Sequence, residues 1–478
     1  MSHKQQAALA LAAGAVLLLP LLVASPPPMG DYPNHMARLW ILLHPESWIR
    51  TSGLVELNPH LTPNLGFEIV GLALASVLPF ELIGPAAIGV ILLTFLAGSL
   101  LIARAVDPTR WGYGALAGMF AWHSGLQTGF LSYSLSVGLF LVVFGCWLNW
   151  IRGGGVAWGI AAALLGAPLA LVHAVGPVLL GVAVTSALLV RLLRRENTAS
   201  WALKHALPII PSCIGFLLLR RPSPEGVGHS FAWNSIGGKI SALSSWARGY
   251  DLQFDVAWLV AFTLVAILIL RGTVRQRWDR DVLMASLALW LVSLAMPLAV
   301  MTGTGVDRRF VPAAFGLLAL AFVPVLSATS TRMVAVLAAL VLVRQGAISI
   351  RLHQFSEETG RVVAMLAKLP EHAMLLQCSA EADLSAAAEK RRMVFRHVGH
   401  FVTPLRGGVS STLFGFESQQ PIVVDVERFN RAAGAESGSC REPSWPYLLV
   451  EDGAPTIIDS RYTPLGATGR WTLLKRVG

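Results

Sequence analysis

Charged residues are scarce in this sequence. Asp, Glu, Lys and Arg together make up 13% of it, whereas hydrophobic residues make up 54%. A soluble globular chain carries roughly a quarter charged residues, so that class is excluded. Apolar windows recur from the N-terminus to about Ser349, and about 20 apolar residues are enough to cross a bilayer. The composition therefore predicts an integral membrane protein.

Cysteine is also scarce, with four residues and no closely spaced pair of the kind that binds zinc. Cys146 and Cys213 fall in apolar windows, where a cysteine usually acts as a small packing residue. Cys378 and Cys440 lie in the polar C-terminal region. They could form a disulfide if that region faces an oxidising compartment, although sequence spacing alone does not establish the geometry.

Acidic residues are outnumbered: 27 Asp and Glu stand against 37 Lys and Arg, which gives a net charge of +10. Nucleic-acid binding would explain such an excess, but here the basic residues sit in short clusters between apolar windows. Clusters of this kind are typical of cytoplasmic loops under the positive-inside rule. We therefore expect no nucleic-acid partner. The two clusters are Arg191, Arg194, Arg195 with Lys204, and Arg271, Arg275, Arg277 with Arg280.

Twelve apolar windows are candidate membrane spans. The first is longer than the apolar part of a signal peptide, about 7–15 residues, which favours an uncleaved span and a cytoplasmic N-terminus. If one of the two short windows, 65–80 or 113–127, is re-entrant, eleven spans remain and the C-terminal region lies on the outer side. The windows are 7–23, 65–80, 84–105, 113–127, 129–151, 156–172, 175–193, 201–219, 255–271, 282–302, 309–327 and 331–350.

The composition changes near Arg351. EETGRVVAMLAKLP is typical of an amphipathic helix that ends at Pro370, and the segments AMLLQCS, PIVVD, YLLVED and WTLLKRV are typical of short buried strands. We therefore predict a mainly α polytopic domain over residues 1–350 and a small extracytoplasmic α/β domain over residues 351–478.

The first outer loop, residues 26–64, holds the stretch MGDYPNHMARLWILL. Asp31, His35 and Arg38 follow i, i+4, i+7 spacing, which places them on one helical face. Asp31 could cap the helix with Pro33 in its first turn, act as a catalytic group, or share a divalent metal such as Mg²⁺ or Mn²⁺ with His35. Arg38 could pair with Asp31 or with a lipid phosphate.

Ionisable residues inside apolar windows are further candidates, because such groups are costly at membrane depth and are often functional. Glu68 and His123 lie in the two short windows, and His173 opens the stretch HAVGP. A single histidine such as His173 could equally be a hydrogen-bonded interior residue.

The late outer loop GVDRRF supplies two arginines, Arg308 and Arg309. Arginine suits phosphate through its planar fork of donors, so these residues could bind an anionic ligand at the membrane surface. An ion pair of Asp307 with either arginine would explain the same motif. Further candidates of this kind are Arg248, Asp251 and Asp255.

This layout resembles the GT-C superfamily of polytopic glycosyltransferases, which use polyprenyl-phosphate-linked sugars. The matching features are the acid in GDYPNHMAR after the first span, the long first outer loop, the many spans, the late DRRF loop and the C-terminal domain. The resemblance implies that Asp31 is the general base or a metal ligand, and that Arg308 or Arg309 contacts the lipid phosphate. The family often has a paired acidic motif here, but the nearest other acids are Glu46 and Glu56.

The implied reaction moves a sugar to a glycan, lipid or protein acceptor at the outer face of an inner (plasma) membrane. The Arg-rich, Ala/Gly/Leu-rich composition is typical of a bacterial protein. A transporter or flippase of lipid-linked saccharides would also use arginines and a polar cavity. A non-catalytic subunit of an envelope-polymer assembly complex is the third hypothesis.

Overall fold

The computed structural model describes residues 2–219, 230–272, 277–301, 303–323, 328–380, 393–415, 417–434, 440–441, 443–454 and 460–477. The fold is mainly helical. Within these residues, seven helices are long and apolar enough to cross a membrane. They are His3–Leu22, Phe80–Val106, Leu131–Ile151, Val175–Leu193, Ala199–Leu219, Leu252–Ile269 and Val334–Leu366.

The other five predicted windows hold shorter helices. The 282–302 window shows why: its helix stops at Ala295, because Met296 is extended (φ −82°, ψ 143°) ahead of Pro297. The shorter helices are Gly66–Ala75; Gly114–Gly118 and Ser124–Thr128; Val156–Gly166 and Leu169–Val172; Arg280–Ala295; and Val311–Ala321.

The chain forms two compact units. The first, here called the helical unit, comprises Met1–Pro20, Ile88–Leu126 and Leu131–Ile348. The second, here called the mixed unit, comprises Leu21–Ala87, Gln127–Phe130 and Ser349–Gly478. The first outer loop therefore belongs to the same compact unit as the C-terminal region.

Helix Arg280–Ala295 is central to the helical unit, where it packs against Val175–Leu193 and Val311–Ala321. The buried Asp281 at its start binds two arginines, with Oδ2 lying 2.6 Å from Arg191 Nη2 and 3.0 Å from Arg152 Nη2. Short elements complete this unit: helix Ile236–Leu243 and strands Ser230–Ala232, Arg277–Trp278, Ala299–Met301, Gly303–Thr304 and Phe322–Val323.

The mixed unit is built on a five-stranded sheet. Its strands, from one edge to the other, are Tyr462–Thr468, Trp471–Arg476, Tyr447–Glu451, Met374–Cys378 and Val409–Ser410. The first three run antiparallel to one another, and Met374–Cys378 lies parallel to both Tyr447–Glu451 and Val409–Ser410. The helices of this unit are Tyr32–Leu43, Trp48–Thr51, Gly66–Ala75, Val402–Arg406, Val426–Ala432 and the C-terminal part of Ala328–Leu366.

The first outer loop shares the hydrophobic core of the sheet. Ile41 and Val55 from the loop are buried in one cluster with Leu376 and Leu448 from the sheet. Strand Val55–Leu57 also pairs antiparallel with Ile422–Val424. Burial of this kind contributes about 25 cal/mol per Å² of apolar surface removed from water, so loop and sheet stabilise each other.

Most of the C-terminal expectations are confirmed. AMLLQCS, YLLVED and WTLLKRV form sheet strands, whereas PIVVD forms a strand that pairs with the first outer loop. EETGRVVAMLAKLP is not a separate helix, since it continues helix Ala328–Leu366. Cys378 and Cys440 form a disulfide with Cα atoms 5.6 Å apart, while Cys146 and Cys213 are unpaired.

Candidate functional site

Asp31 lies immediately before helix Tyr32–Leu43, in the mixed unit. Pro33 occupies the first turn as predicted, but the Asp31 side chain accepts no capping hydrogen bond from the described first turn. Its carboxylate instead faces His397, with Oδ1 3.5 Å from Nε2. The Asp31 side chain keeps 13% of its surface exposed.

Gly129 fixes the position of the Asp31 backbone. Asp31 N donates a 3.1 Å hydrogen bond to Thr128 O. A Cβ at Gly129 would lie 2.6 Å from Asp31 N, and the Gly129 φ of +94° is one that other residues rarely adopt. The glycine therefore allows this segment to approach the start of the helix.

One turn further along the helix, His35 and Arg38 meet Glu68 from helix Gly66–Ala75. Arg38 Nε donates to Glu68 Oε1 at 3.0 Å, and Arg38 Nη2 contacts the same oxygen. His35 Nδ1 lies 3.2 Å from that oxygen and 2.8 Å from Arg38 Nη2. All three side chains are buried. The predicted polar face is therefore present, but its members His35 and Arg38 face the Glu68 carboxylate.

Electrostatic interactions keep one positive and one negative charge in this cluster. Burial acts to raise the pKa of Glu68, but the charge of Arg38 and hydrogen bonds from His35 and Arg38 outweigh it and hold this pKa at about 2. Burial and the Arg38 charge lower the pKa of His35. At neutral pH the cluster is thus an Arg38–Glu68 ion pair with a neutral His35.

Two histidines of the C-terminal region meet at Thr412. His397 Nδ1 lies 3.3 Å from Thr412 Oγ1, and His400 Nε2 lies 3.0 Å from the same oxygen. Burial, followed by neighbouring positive groups, lowers the pKa of His397 well below its ordinary value. Burial lowers the pKa of His400 to about 3. Both imidazoles are therefore neutral at physiological pH.

Asn34 holds the Thr412 segment against the first-loop helix. Asn34 Nδ2 donates to Thr412 O at 3.1 Å, and Asn34 Oδ1 accepts from Phe414 N at 3.0 Å. Phe414 in turn packs edge-on against His397, with ring centroids 4.7 Å apart. One side chain of the first loop thus sets the position of the segment that contacts both histidines.

The remaining predicted site residues belong to the helical unit. Arg309 Nη1 lies 3.3 Å from His173 Nε2, and the Arg309 carbonyl accepts a 2.9 Å hydrogen bond from Tyr133 OH. His123 packs edge-on against the same tyrosine at 5.8 Å between ring centroids. His123, His173 and Arg309 are therefore gathered around Tyr133.

Asp307 does not pair with the arginines next to it. Its Oδ2 lies 3.3 Å from Lys239 Nζ and 3.0 Å from Asn234 Nδ2. The proposed Asp307–Arg ion pair is therefore wrong, because Lys239 takes that place. The Nε of Arg308 is buried and has no hydrogen-bond partner in the part of the chain that the structure describes.

Asp251 and Asp255 stabilise the start of helix Leu252–Gly272. Asp251 Oδ1 accepts from the backbone of Gln253 and Phe254 at 3.1 Å each, and Asp255 Oδ2 accepts from Gly249 N at 2.5 Å. These contacts give both acids a structural role at a helix terminus.

The described residues contain no cluster of three or more His, Cys, Asp or Glu side chains able to hold a metal ion. The suggested sharing of Mg²⁺ or Mn²⁺ by Asp31 and His35 stays a prediction: His35 Nδ1 lies beside the Arg38 guanidinium, and these ions prefer oxygen ligands.

The sequence interpretation missed His397, His400, Thr412 and Asn34. The signal for the first two was present, since RHVGH places histidines three residues apart on one side of a helical turn. Nothing in the sequence links that motif to Asp31, whose position is far away along the chain.

Comparison with known proteins identifies the fold. No protein-family model matches the sequence, and no curated protein matches it. ArnT from Cupriavidus metallidurans bound to undecaprenyl phosphate is similar over 100% of this chain and 99% of its own, with TM-score 0.51 and 13% identity. Its apo state gives TM-score 0.52 at 13% identity, again over 100% of this chain and 99% of its own.

The cryo-EM structure of the arabinofuranosyltransferase AftD from Mycobacteria gives TM-score 0.48 at 15% identity, over 100% of this chain and 40% of its own. Identities this low show the fold alone. The chain is a multi-pass membrane protein with the fold of ArnT, and the predicted mainly helical architecture with a small C-terminal sheet region is confirmed.

Proposed function

We propose that this protein is a membrane glycosyltransferase that moves a sugar from a polyprenyl-phosphate-linked donor to an acceptor of the cell envelope. The observation that carries the proposal is the partly exposed Asp31 carboxylate, held against His397 in a chain with the ArnT fold along its full length. A partly exposed carboxylate suits a general base, whereas Glu68 is buried in its contact with Arg38.

In the proposed reaction, the acceptor hydroxyl oxygen attacks the anomeric carbon of the donor sugar. The bond from that carbon to the phosphate oxygen breaks, the hydroxyl proton passes to Asp31, and polyprenyl phosphate leaves with the bond's electrons. A positioned base contributes about 10²–10⁴-fold to such a step. Donors aimed at the departing phosphate stabilise the charge that develops on it.

Arg308 and Arg309 are the proposed contacts for that phosphate. The donor class is supported by ArnT, whose structure holds undecaprenyl phosphate. Arg309 is oriented by His173 and by Thr304 O, 3.3 Å from Nη2, and Arg308 has a buried Nε without a partner among the described residues. A planar guanidinium of this kind binds phosphate through two parallel hydrogen bonds.

We place the reaction at the outer face of a bacterial inner membrane. The Cys378–Cys440 disulfide supports an oxidising compartment for the C-terminal region, as the charge pattern of the loops predicts. The acceptor is a glycan, lipid or protein hydroxyl. Dependence on Mg²⁺ or Mn²⁺ stays a separate prediction, and transfer measured with and without EDTA tests it.

The proposal is tested with purified protein in lipid nanodiscs and a panel of undecaprenyl-phosphate-linked sugars, by measuring release of undecaprenyl phosphate in the presence of envelope acceptors. Wild-type protein releases it, and Asp31→Asn slows release by about 10²–10⁴-fold. Glu56→Gln is the matched control, because this acid also lies in the first outer loop but is exposed on a strand.

The rival hypotheses give different results in the same system. A flippase moves the lipid-linked sugar between leaflets without breaking its glycosidic bond, and a non-catalytic subunit does neither. Undiminished release by Asp31→Asn would remove the general-base role. Transbilayer movement without release would replace the enzyme with a transporter.

A further inference from the structure

His397 faces the candidate base from one side and a hydroxyl from the other. Its Nε2 lies 3.5 Å from Asp31 Oδ1, and its Nδ1 lies 3.3 Å from Thr412 Oγ1. His397 is 3% exposed, and its ring packs against Phe414 and His400. A buried imidazole held in this way can present only one of its two nitrogens to Asp31.

The hydrogen bonds of His400 decide which nitrogen of His397 carries the proton. His400 Nε2 lies 3.0 Å from Thr412 Oγ1, and its Nδ1 has no hydrogen-bond partner among the described residues. His400 Nε2–H is therefore the donor at Thr412. Thr412 Oγ1 accepts from it and has its own proton to give.

The proton of Thr412 points to the second histidine. A hydroxyl that accepts from His400 Nε2 donates to His397 Nδ1, which leaves the neutral His397 protonated at Nε2. That N–H then faces Asp31 Oδ1. The direction of donation runs from His400 through Thr412 and His397 to the carboxylate.

We propose that His397 is a positioning residue for Asp31, oriented through Thr412 and His400, and that the C-terminal region thereby completes the catalytic site of the first outer loop. The inference rests on the proposed function of Asp31. His397 Nε2–H faces Asp31 Oδ1 and limits rotation of the carboxylate about its Cβ–Cγ bond, which keeps the base in one orientation toward the acceptor hydroxyl. We expect the 3.5 Å separation to shorten when substrate binds, as catalytic hydrogen bonds commonly do.

The Asn34 contacts give this arrangement its rigidity. Asn34 lies on helix Tyr32–Leu43, which begins directly after Asp31. Its side chain binds both Thr412 O and Phe414 N. A displacement of the 412–414 segment would therefore break two hydrogen bonds to the first-loop helix. Helix Tyr32–Leu43 therefore holds both groups that His397 contacts: Asp31 directly precedes the helix, and Asn34 of the helix binds the segment that carries Thr412.

The first experiment separates positioning from folding by kinetics in nanodiscs. His397→Ala lowers kcat by about 10–100-fold, the value of one hydrogen bond to a charged group, with KM unchanged. His397→Gln restores a large part of kcat, because the Gln amide reaches the place of Nε2. Thr412→Val lowers kcat, Thr412→Ser loses much less, and the exposed Thr463→Val is the matched control.

The outcomes are distinct. If wild-type protein transfers sugar and Asp31→Asn does not, wild-type kcat in His397→Ala overturns the positioning role. Equal losses in His397→Gln and His397→Ala also overturn it, because a merely structural role predicts no rescue. Transfer by Asp31→Asn at the wild-type rate overturns the proposed function instead.

The second experiment does not depend on activity. ¹⁵N-histidine NMR of the full-length protein in lipid, with the His397 signal assigned by its loss in His397→Gln, reports which ring nitrogen carries the proton. We expect His397 protonated at Nε2 in wild type, and a mixture of tautomers in Thr412→Val. A His397 ring protonated at Nδ1 in wild type would overturn the inference, and this result does not require the sugar donor to be known.

Discussion

Arg38 binds Glu68 through a single carboxylate oxygen. Arg38 Nε lies 3.0 Å from Oε1 and Nη2 contacts the same atom, while Oε2 is buried and has no hydrogen-bond partner among the described residues. The pair joins the first-loop helix to helix Gly66–Ala75. Breaking a buried pair costs far more than the pair itself contributes, because a charge is left without its counterion.

Glu68→Gln is accordingly expected to destabilise the protein by about 3–5 kcal/mol. The reason is the unpaired Arg38, so the double variant Arg38→Met/Glu68→Leu should recover part of the loss. The apparent melting temperature in detergent measures both. Glu81→Gln, at an exposed position on a neighbouring helix, is the control, and a Glu68→Gln protein that melts with the wild type would contradict the buried-pair argument.

Arg309→Ala is expected to weaken binding of undecaprenyl phosphate by about 10–100-fold, the value of a charge-assisted hydrogen bond. Arg309→Lys keeps the charge but loses the fork of donors, so it should fall between the two. Titration of the lipid followed by native mass spectrometry measures the affinity. Arg110→Ala removes an exposed arginine and serves as the control. Unchanged lipid affinity in Arg309→Ala would show that Arg309 does not bind the phosphate.

Loss of the Cys378–Cys440 disulfide is expected to destabilise the mixed unit by about 4 kcal/mol, as the chain-entropy account gives for a closed loop of this length. The two cysteines are 62 residues apart. The rate at which a protease cleaves the full-length Cys378→Ser/Cys440→Ser protein within residues 349–478 measures this loss of stability. Cys146→Ser/Cys213→Ser is the control because those thiols are free, and equal protection of all variants would argue against the disulfide's contribution.

Acid is expected to destabilise the mixed unit through His400. The unfolded chain binds a proton below the ordinary histidine pKa of about 6.5, whereas the folded His400 does so only near 3. The contribution of His400 to the free energy of unfolding is therefore fully present above about pH 6.5. It falls by up to about 1.4 kcal/mol per pH unit toward pH 3. Groups that face His400 are Thr412, His397 and, through its charge, Arg38.

The measurement for this effect is the apparent melting temperature between pH 7 and pH 4. His400→Gln should flatten the dependence, because glutamine has no proton to bind. His353→Gln, at an exposed position, should leave the slope as in wild type. A steeper slope in His400→Gln would reverse the sign of the argument.

Much of the fold was readable from local patterns. The apolar windows predicted the long helices, and the apolar segments near Met374, Leu448 and Leu473 predicted sheet strands, because burial imposes its period directly on the sequence. Helix Tyr32–Leu43 was predicted from its polar and apolar faces. The helix ends were less accurate, since Pro297 and other local breaks shorten several windows.

The site was only half readable. Periodicity placed His35 and Arg38 on one face, yet the identity of their partner depends on where Glu68 comes to rest. His397 contacts Asp31 across most of the chain length, and one sequence carries no distance information for such a pair. The site residues carried over from the family resemblance, Asp31, Arg308 and Arg309, stay predictions until their variants are assayed.

The strand pairing between Val55–Leu57 and Ile422–Val424 has a consequence for biogenesis. Val55 pairs with Val424, so the partner of the first strand leaves the ribosome 369 residues (424 − 55) later. At about 5–20 residues per second the interval is about 20–70 s. During that time the first outer loop has an unpaired strand edge and an uncovered apolar face. We expect nascent chains truncated before residue 420 to be bound there by a chaperone.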